Sequence, residues 1–163
     1  PFVTTFSVFS LRAIEQARLS IAYSKRNVKI VASHPGLDVG PDGASAQCLE
    51  DLSIYRSIPD FVVLSPCDPL EIEQATEEII KYNGPVYMRT GRSDTKRVLS
   101  KNYEFKIGKG SILRNGGDVT IFSCGVETKR ALEAYEILQE KQIDARIVNL
   151  SSIKPIDLSL IHI

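Results

Sequence analysis

Short apolar runs alternate along the chain with longer stretches in which apolar side chains recur at helical spacing. Strands are predicted at residues 2–6, 28–32, 61–64, 86–88, 118–124 and 145–150, and helices at 11–24, 49–56, 69–82 and 127–141. The helix at 69–82 has the clearest start, because Asp68 can cap it and Pro69 suits its first turn. Strands that alternate with helices over short connections are typical of βαβ units. We therefore predict an α/β fold with a largely parallel sheet.

The stretch from residue 99 to 117 differs from its surroundings, because it is polar and rich in basic residues and glycines. We interpret it as a linker, crossed by a short strand or hairpin at 103–113. The linker separates a first domain at 1–98 from a second α/β domain that begins at 118 and continues to 163. The second domain looks incomplete and the first residues resemble the middle of a domain. We therefore expect a fragment or one part of a larger assembly.

Charge and composition argue against several classes of protein. The formal net charge is zero, from 20 basic and 20 acidic residues, which disfavours a nucleic-acid-binding protein. No apolar run approaches the roughly 18 residues of a membrane-spanning helix, so no membrane association is expected. Cys48, Cys67 and Cys124 are widely spaced and form no CxxC pattern, which predicts free, buried or partly buried thiols in a reducing cytosol. We expect a cytoplasmic protein.

The stretch VKIVASHPGLDVGPDGASAQ, residues 28–47, concentrates the candidate chemistry of the chain. It begins as a buried strand and then breaks into a loop that carries His34, Asp38 and Asp42 among three glycines. In open α/β sheets, ligands bind where strands end and loops begin. The sequence therefore predicts a binding or catalytic site in this loop.

Five segments carry a resemblance to a known family. They are TTFSVFSLRAIEQ, VKIVASHPGLDVGPDGASAQ, EDLSIYRSIPDFVVLSPCDPLE, GPVYMRTGR and, more weakly, GGDVTIFSCGVETKRALEA. Over nearly its whole length the chain resembles the pyrimidine-binding domain of transketolases, followed by the start of the transketolase C-terminal domain. It most resembles the C-terminal subunit of split, two-subunit transketolases. 1-Deoxyxylulose-5-phosphate synthase shares this layout, and the β subunits of 2-oxo-acid dehydrogenases are a more distant alternative.

The resemblance implies a three-layer pyrimidine-binding domain at 1–98 and a thiamine diphosphate enzyme of carbohydrate metabolism that moves a two-carbon ketol unit between sugar phosphates. In this family the pyrimidine domain holds the aminopyrimidine ring, and a partner domain holds the diphosphate and Mg²⁺. A glutamate that bonds the ring is expected upstream of Pro1. The resemblance thus implies that this chain holds no metal and works with an N-terminal transketolase subunit or domain, as a homodimer or heterotetramer.

Three residues near the start match positions that contact the cofactor in the family. Phe6 and Phe9 fall where the family packs aromatic side chains around the aminopyrimidine, and a flat ring is held well by stacking. Taken without the resemblance, they could equally be two core phenylalanines. Arg12 lies one turn further, near an arginine of split transketolases and deoxyxylulose synthases; without the resemblance it would be a solvated helix charge.

The resemblance also implies residues that contact substrate. His34 matches a catalytic histidine that reaches substrate and cofactor, and an imidazole can relay a proton near neutral pH. Asp42 matches an aspartate that bonds a substrate hydroxyl, although an aspartate beside glycine is also a common turn. Arg92 falls where the family places a phosphate-binding arginine, with Arg89 as the alternative.

Ala46 departs from the family, which usually has a histidine at this position to bind or polarise substrate. Loss of one preorganised donor costs about 3 kcal/mol of transition-state stabilisation. The departure leaves two interpretations open: a catalytic part of a transketolase that is inactive without its partner, or a non-catalytic transketolase-like subunit. The sequence does not select particular sugar phosphates.

Overall fold

A computed structural model describes residues 1–160 and shows two sheets flanked by helices. The strands are β1 (Phe2–Phe6), β2 (Lys29–Ser33), β3 (Val62–Leu64), β4 (Val86–Arg89), β5 (Ser111–Arg114), β6 (Val119–Ser123), β7 (Ala145–Asn149) and β8 (Ser152–Lys154). The α-helices are α1 (Ser7–Ser10), α2 (Ile14–Gln16), α3 (Asp51–Ser57), α4 (Pro69–Lys81) and α5 (Glu127–Glu140). Shorter helical turns are a π-helix at Ala17–Tyr23 and 3-10 turns at Leu11–Ala13, Leu37–Asp42 and Leu158–Leu160.

The strands form a five-stranded sheet in the order β1-β2-β4-β3-β8 and a three-stranded sheet in the order β5-β7-β6. Strands β1 to β4 run parallel to one another, and β6 runs parallel to β7. This confirms the predicted α/β fold with a parallel sheet. Two short strands were not predicted as partners: β8 pairs antiparallel with β3, and β5 pairs antiparallel with β7.

The two sheets do not divide at the predicted domain boundaries. The predicted linker 99–117 contributes β5 to the second sheet, and the predicted second domain 118–163 returns β8 to the first sheet. The last three residues of that predicted domain lie outside the described part of the chain. The differences have one physical reason: an edge strand has free N–H and C=O groups, which a short passing segment can satisfy.

The central strands β3 and β4 of the first sheet are buried on both faces, which makes this sheet the middle of three layers. On one face Val63 and Tyr87 pack against Tyr55 of α3 and Ala17 of the π-helix. On the other face α4 supplies Ala75 and Ile79, which pack against the alternate strand residues Val62, Leu64, Val86 and Met88. Successive side chains of a strand point to opposite faces, so the continuous apolar runs of β3 and β4 are explained by burial on both sides.

The first helical segment starts earlier than predicted. The prediction placed it at 11–24, whereas helical structure begins at Ser7, directly after β1, and is broken into α, 3-10 and π pieces up to Tyr23. Ser7 is fully buried, and its hydroxyl donates to the backbone oxygen of Ser33 at 3.0 Å. That hydrogen bond fixes the turn at the end of β1, which places Phe6 and Phe9 at the edge of the sheet.

A buried carboxylate joins the two sheets. Glu71, in the first turn of α4, is fully buried and accepts hydrogen bonds from the backbone N–H of Cys67 at 2.7 Å and from Nδ2 of Asn149 at 3.0 Å. The hydroxyl of Tyr103 also donates to it. The backbone N–H of Glu71 donates to the side chain of Asp68, the predicted cap, at 2.9 Å. The side chain itself, however, holds β7 and the connecting segment against α4.

In the described part of the chain, every helix is too short or too polar to span a lipid bilayer.

Candidate functional site

The candidate site lies at the carboxyl ends of three neighbouring parallel strands. Phe6 at the end of β1 is in register with Ser33 at the end of β2, and Ala32 of β2 is in register with Arg89 at the end of β4. The loops that follow these strands therefore meet at one edge of the sheet, where open α/β folds bind their ligands. All the predicted substrate residues lie on these loops or at their starts.

Three rings stack at this edge. The rings of Phe6 and Phe9 have centroids 5.7 Å apart and planes 11° apart, and the imidazole of His34 stacks on Phe6 with centroids 3.8 Å apart. Phe9 is 54% exposed. The stack therefore offers an apolar aromatic surface to a flat ring, rather than being part of the core.

His34 is held in a constrained conformation. Its backbone has φ of 57°, a left-handed value that residues other than glycine rarely adopt. Its Nδ1 lies 2.9 Å from the hydroxyl oxygen of Ser33, and its Nε2 lies 3.9 Å from Oδ2 of Asp42. The serine contact and the Phe6 stack fix the ring, and they leave Nε2 directed to the aspartate side of the site.

The loop after β2 is built on glycines with left-handed backbone. Gly36 has φ of 59° and Gly40 has φ of 60°, and Gly40 interrupts the 3-10 turn Leu37–Asp42. A Cβ on Gly36 would lie 3.3 Å from Nη2 of Arg89, so this glycine also leaves room for the guanidinium. The glycines thus fold the loop back over the end of β4.

Two aspartates of this loop bind the loop that follows β4. Oδ2 of Asp38 accepts from the backbone N–H groups of Arg92 at 3.1 Å and Ser93 at 3.0 Å, and the hydroxyl of Ser93 donates to Oδ1. Oδ2 of Asp42 accepts from Nε of Arg92 at 3.1 Å. Partial burial raises the pKa of Asp38, but the hydrogen bonds from Ser93 and Arg92 outweigh it and hold that pKa below its ordinary value.

Arg89 occupies a different environment from Arg92. Its Nε lies 3.1 Å from Oδ2 of the fully buried Asp51, as an ion pair rather than an aligned hydrogen bond. The hydroxyl of Tyr87 donates to the same oxygen at 2.7 Å. Arg89 is thus anchored by a buried carboxylate, whereas Arg92 is exposed and paired with the equally exposed Asp42.

A cavity of about 630 Å³ opens beside these loops, between the first sheet and the start of α5. Arg89 and Arg130 both line it, but Asp51 neutralises the first, and Glu127 pairs with the second at 2.5 Å. Asp38 lines it too, so the cavity has no excess of positive charge. Among residues 1–160, no group of three or more His, Cys, Asp or Glu side chains could hold a metal ion.

Two sequence candidates stand apart from this cluster. Arg12 is exposed, and within the described residues it has neither a hydrogen bond nor an ion pair. Ala46 is half-buried in the turn after Gly43, and its backbone N–H donates to the Gly43 oxygen at 3.1 Å. The structure brings together Phe6, Phe9, His34, Asp42 and Arg92.

Sequence reasoning missed the parts played by Ser33, Asp38 and Asp51. Each is a common polar residue whose partner lies on another loop or strand, so no local pattern indicates its contact. Asp38 gave the only usable signal, because it stands in the glycine loop four residues from Asp42.

The cysteines are free, as predicted: Cys48 and Cys67 are buried and Cys124 is half-buried. Burial raises the pKa of each thiol, so none has the thiolate character of a nucleophile.

Comparison with known proteins gives two matching family descriptions. Residues 1–97 match the transketolase pyrimidine binding domain, and residues 108–162 match the transketolase C-terminal domain. The chain is 48% identical over 163 residues to a putative transketolase C-terminal section of Methanocaldococcus jannaschii, covering 98% of this chain and 52% of that protein. It is 40% identical over 158 residues to the 6-deoxy-6-sulfo-D-fructose transketolase subunit of Clostridium sp., covering 96% of this chain and 49% of the subunit.

A solved structure described as a split gene transketolase, inactive beta4 tetramer, has the same fold with a TM-score of 0.91 and 41% identity. The match covers 99% of this chain and 52% of that one. The chain thus spans about half the length of each of these three relatives. The sequence matches and the fold agree across both parts of the chain, which belongs to the transketolase family.

Proposed function

We propose that this chain supplies the pyrimidine-binding half of a thiamine diphosphate-dependent transketolase, which transfers a two-carbon ketol unit between sugar phosphates. The observation that carries the proposal is the stack of Phe9, Phe6 and His34 beside Asp42 and Arg92. Three kinds of group meet there at one edge of a parallel sheet. They are an aromatic surface, a proton-transfer group and an arginine–aspartate ion pair whose guanidinium can bind an anion. The division into 1–98, 99–117 and 118–163 remains our proposal for the domains.

The residues present fit the aminopyrimidine end of the cofactor. The half-exposed ring of Phe9 and the stacked ring of Phe6 would hold a flat heterocycle. Arg12, one turn further along the chain, is the third residue proposed to contact the cofactor. Thiamine diphosphate, when bound, supplies the electron sink for breaking and forming the carbon–carbon bond. The diphosphate and Mg²⁺ would be held by an N-terminal subunit or domain, as membership of the transketolase family implies.

The remaining residues would act on the sugar. His34 would hold or move a proton at Nε2, because its Nδ1 is already engaged by Ser33. Asp42 would accept a hydrogen bond from a substrate hydroxyl. The guanidinium of Arg92 would bind the substrate phosphate, with Arg89 as the alternative; Arg92 is favoured because its nearest carboxylate is exposed rather than buried.

The proposed assembly follows from the way the two ends of the cofactor are held by different polypeptides. A site in which this chain holds one end of the cofactor needs a second subunit for the other end, so we propose a homodimer or a heterotetramer. A cytoplasmic location is part of the proposal and is supported by the three free cysteines.

Isothermal titration of thiamine diphosphate and Mg²⁺ tests the cofactor assignment. We expect binding only when the full polypeptide is mixed with its N-terminal partner. Phe9→Ala is expected to weaken that binding about tenfold, since an aromatic contact contributes about 1 kcal/mol beyond its buried area. Phe2→Ala is the matched control, because Phe2 is also an exposed phenylalanine but lies at the opposite end of β1. Absence of binding with a partner shown to be folded and associated would contradict the assignment.

A non-catalytic subunit is the second candidate, and Ala46 favours it because the family's usual histidine is missing. If the chain is catalytic, Ala46→His is expected to raise kcat/KM by tenfold or more, since a preorganised donor contributes about 10²–10³ in rate. Ala44→His, in the same turn and exposed, is the control. Equal activity of the two histidine variants would favour the non-catalytic subunit. The same assay, run with pyruvate as donor, separates a transketolase from a deoxyxylulose phosphate synthase.

A further inference from the structure

The loop that follows β4 has little structure of its own. Residues 91–99 form no helix or strand, and Arg92 and Ser93 are exposed. Among the described residues, the backbone N–H groups of 91–97 find an acceptor outside this loop only at Asp38, whereas those of Val98 and Leu99 donate to Asp68 at the far end of the loop. The conformation of the loop around Arg92 therefore depends on one carboxylate that lies 54 residues earlier in the sequence.

Asp38 and Asp42 hold the loop at two different points. Oδ2 of Asp38 accepts the two backbone N–H groups of Arg92 and Ser93, while Asp42 accepts from Nε of the Arg92 side chain. Both aspartates belong to the same short turn, Leu37–Asp42. Backbone and guanidinium of Arg92 are thus fixed relative to the same piece of chain, so a change at one point alters the geometry at the other.

The hydrogen bonds to Asp38 and Asp42 leave the two terminal nitrogens of the Arg92 guanidinium free among the described residues. Among the described residues, no hydrogen bond involves its Nη1 or Nη2, since the Asp42 contact uses Nε. These two nitrogens are the donors of the fork with which a guanidinium binds a phosphate or carboxylate. When the backbone is fixed and the two terminal nitrogens are free, the arginine is preorganised for an anion. The entropic cost of ordering the side chain on binding is then smaller.

We propose that Asp38 is a positioning residue that fixes Arg92 beside Asp42, and through Arg92 sets the affinity of the site for the phosphate of the sugar substrate. This inference rests on the proposed function. Both oxygens of Asp38 are engaged by Arg92 and Ser93, so we expect its effect on substrate affinity rather than on chemistry. Its ionised state is favoured by the hydrogen bonds it accepts, which keep the carboxylate charged at neutral pH.

Amide hydrogen exchange on the full polypeptide, assembled with its partner, tests the attachment directly. We expect the Arg92 and Ser93 amides to be protected, and Asp38→Ala to speed their exchange about tenfold. Asp38→Asn keeps an oxygen that can accept both N–H groups, so it is expected to retain most of the protection. Asp94→Ala removes the same charge from the same loop, and within residues 1–160 the Asp94 side chain makes no hydrogen bond or ion pair, so it serves as the control.

Kinetics test the consequence for substrate. In Asp38→Ala we expect KM for the phosphorylated acceptor to rise about tenfold with kcat within twofold, and KM for glycolaldehyde, which has no phosphate, to stay unchanged. In an Arg92→Ala background the further effect of Asp38→Ala is expected to disappear, because the two residues act as one unit. Asp38→Asn is expected to rescue KM.

Unchanged exchange at Arg92 and Ser93 in Asp38→Ala would overturn the proposal. So would a fall in kcat at constant KM, or an equal loss in the Arg92→Ala background, since either would show that Asp38 does not act through Arg92. Failure of the proposed function gives a different result: no transfer by the wild-type assembly, whatever the exchange rates. In that case the substrate part of the inference falls, while the exchange experiment still decides the attachment.

Discussion

Replacement of His34 by asparagine is expected to lower kcat/KM of the assembled enzyme by about two orders of magnitude or more, because a positioned general acid–base contributes about 10²–10⁴ in rate. The expectation rests on geometry: Nδ1 is engaged by Ser33 at 2.9 Å, the ring is stacked on Phe6, and Nε2 faces Asp42. Asparagine is chosen because it tolerates the left-handed backbone at this position, where φ is 57°.

The design separates loss of the imidazole from backbone strain. His34→Ala is expected to lose activity to the same extent and stability as well, since a left-handed conformation disfavours alanine. His34→Asn is expected to melt close to wild type. Steady-state kinetics and thermal melting of both variants provide the readout. Activity of His34→Asn within fivefold of wild type would show that this residue is structural.

Replacement of Glu71 by alanine is expected to lower the free energy of unfolding by about 3–5 kcal/mol, although the residue lies outside the candidate site. Its carboxylate is fully buried and accepts from Cys67, Asn149 and Tyr103. Without it the backbone N–H of Cys67 and the hydroxyl of Tyr103 lose their acceptor, and each such group costs about 1–3 kcal/mol, whereas Asn149 keeps its hydrogen bond to Ser151. Guanidinium denaturation of the full polypeptide measures the change.

Glu73→Ala is the matched control, because Glu73 stands on the same helix and is exposed. We expect it to change stability by less than about 0.5 kcal/mol. Glu71→Gln should also destabilise, since its amide N–H₂ would face other donors. Because Asn149 belongs to β7, loss of Glu71 is expected to loosen the second sheet from the first and to broaden the unfolding transition. A loss below about 1 kcal/mol would mean that water or rearranged side chains satisfy the donors.

The sequence predicted best where the signal was local. Helix α4 could be located from Asp68 and Pro69, and the apolar runs of β3 and β4 indicated strands. The sequence indicated a short strand or hairpin at 103–113, which overlaps β5, but not its antiparallel pairing, and it did not indicate β8. Each of these strands is short and is defined by the sheet edge that it pairs with.

The candidate site divides in the same manner. His34 and Asp42 were indicated by their place in a glycine loop after a strand, and Phe6 and Phe9 by the resemblance to transketolases. Asp38 and Asp51 act on residues of another strand and loop, so their contacts depend on the folded arrangement alone. The site roles of all these residues remain predictions until the kinetic and binding experiments are done.

The return of β8 to the first sheet has a consequence for how genes of this kind can be divided. The backbone crosses from the first sheet to the second through residues 99–110 and crosses back at β8, which covers the open side of β3. A gene fission within that connection would separate β3 from its neighbour and leave two polypeptides, each with an uncovered edge. The two family domains should therefore be inherited as one reading frame, with fissions and fusions tolerated only elsewhere along the gene.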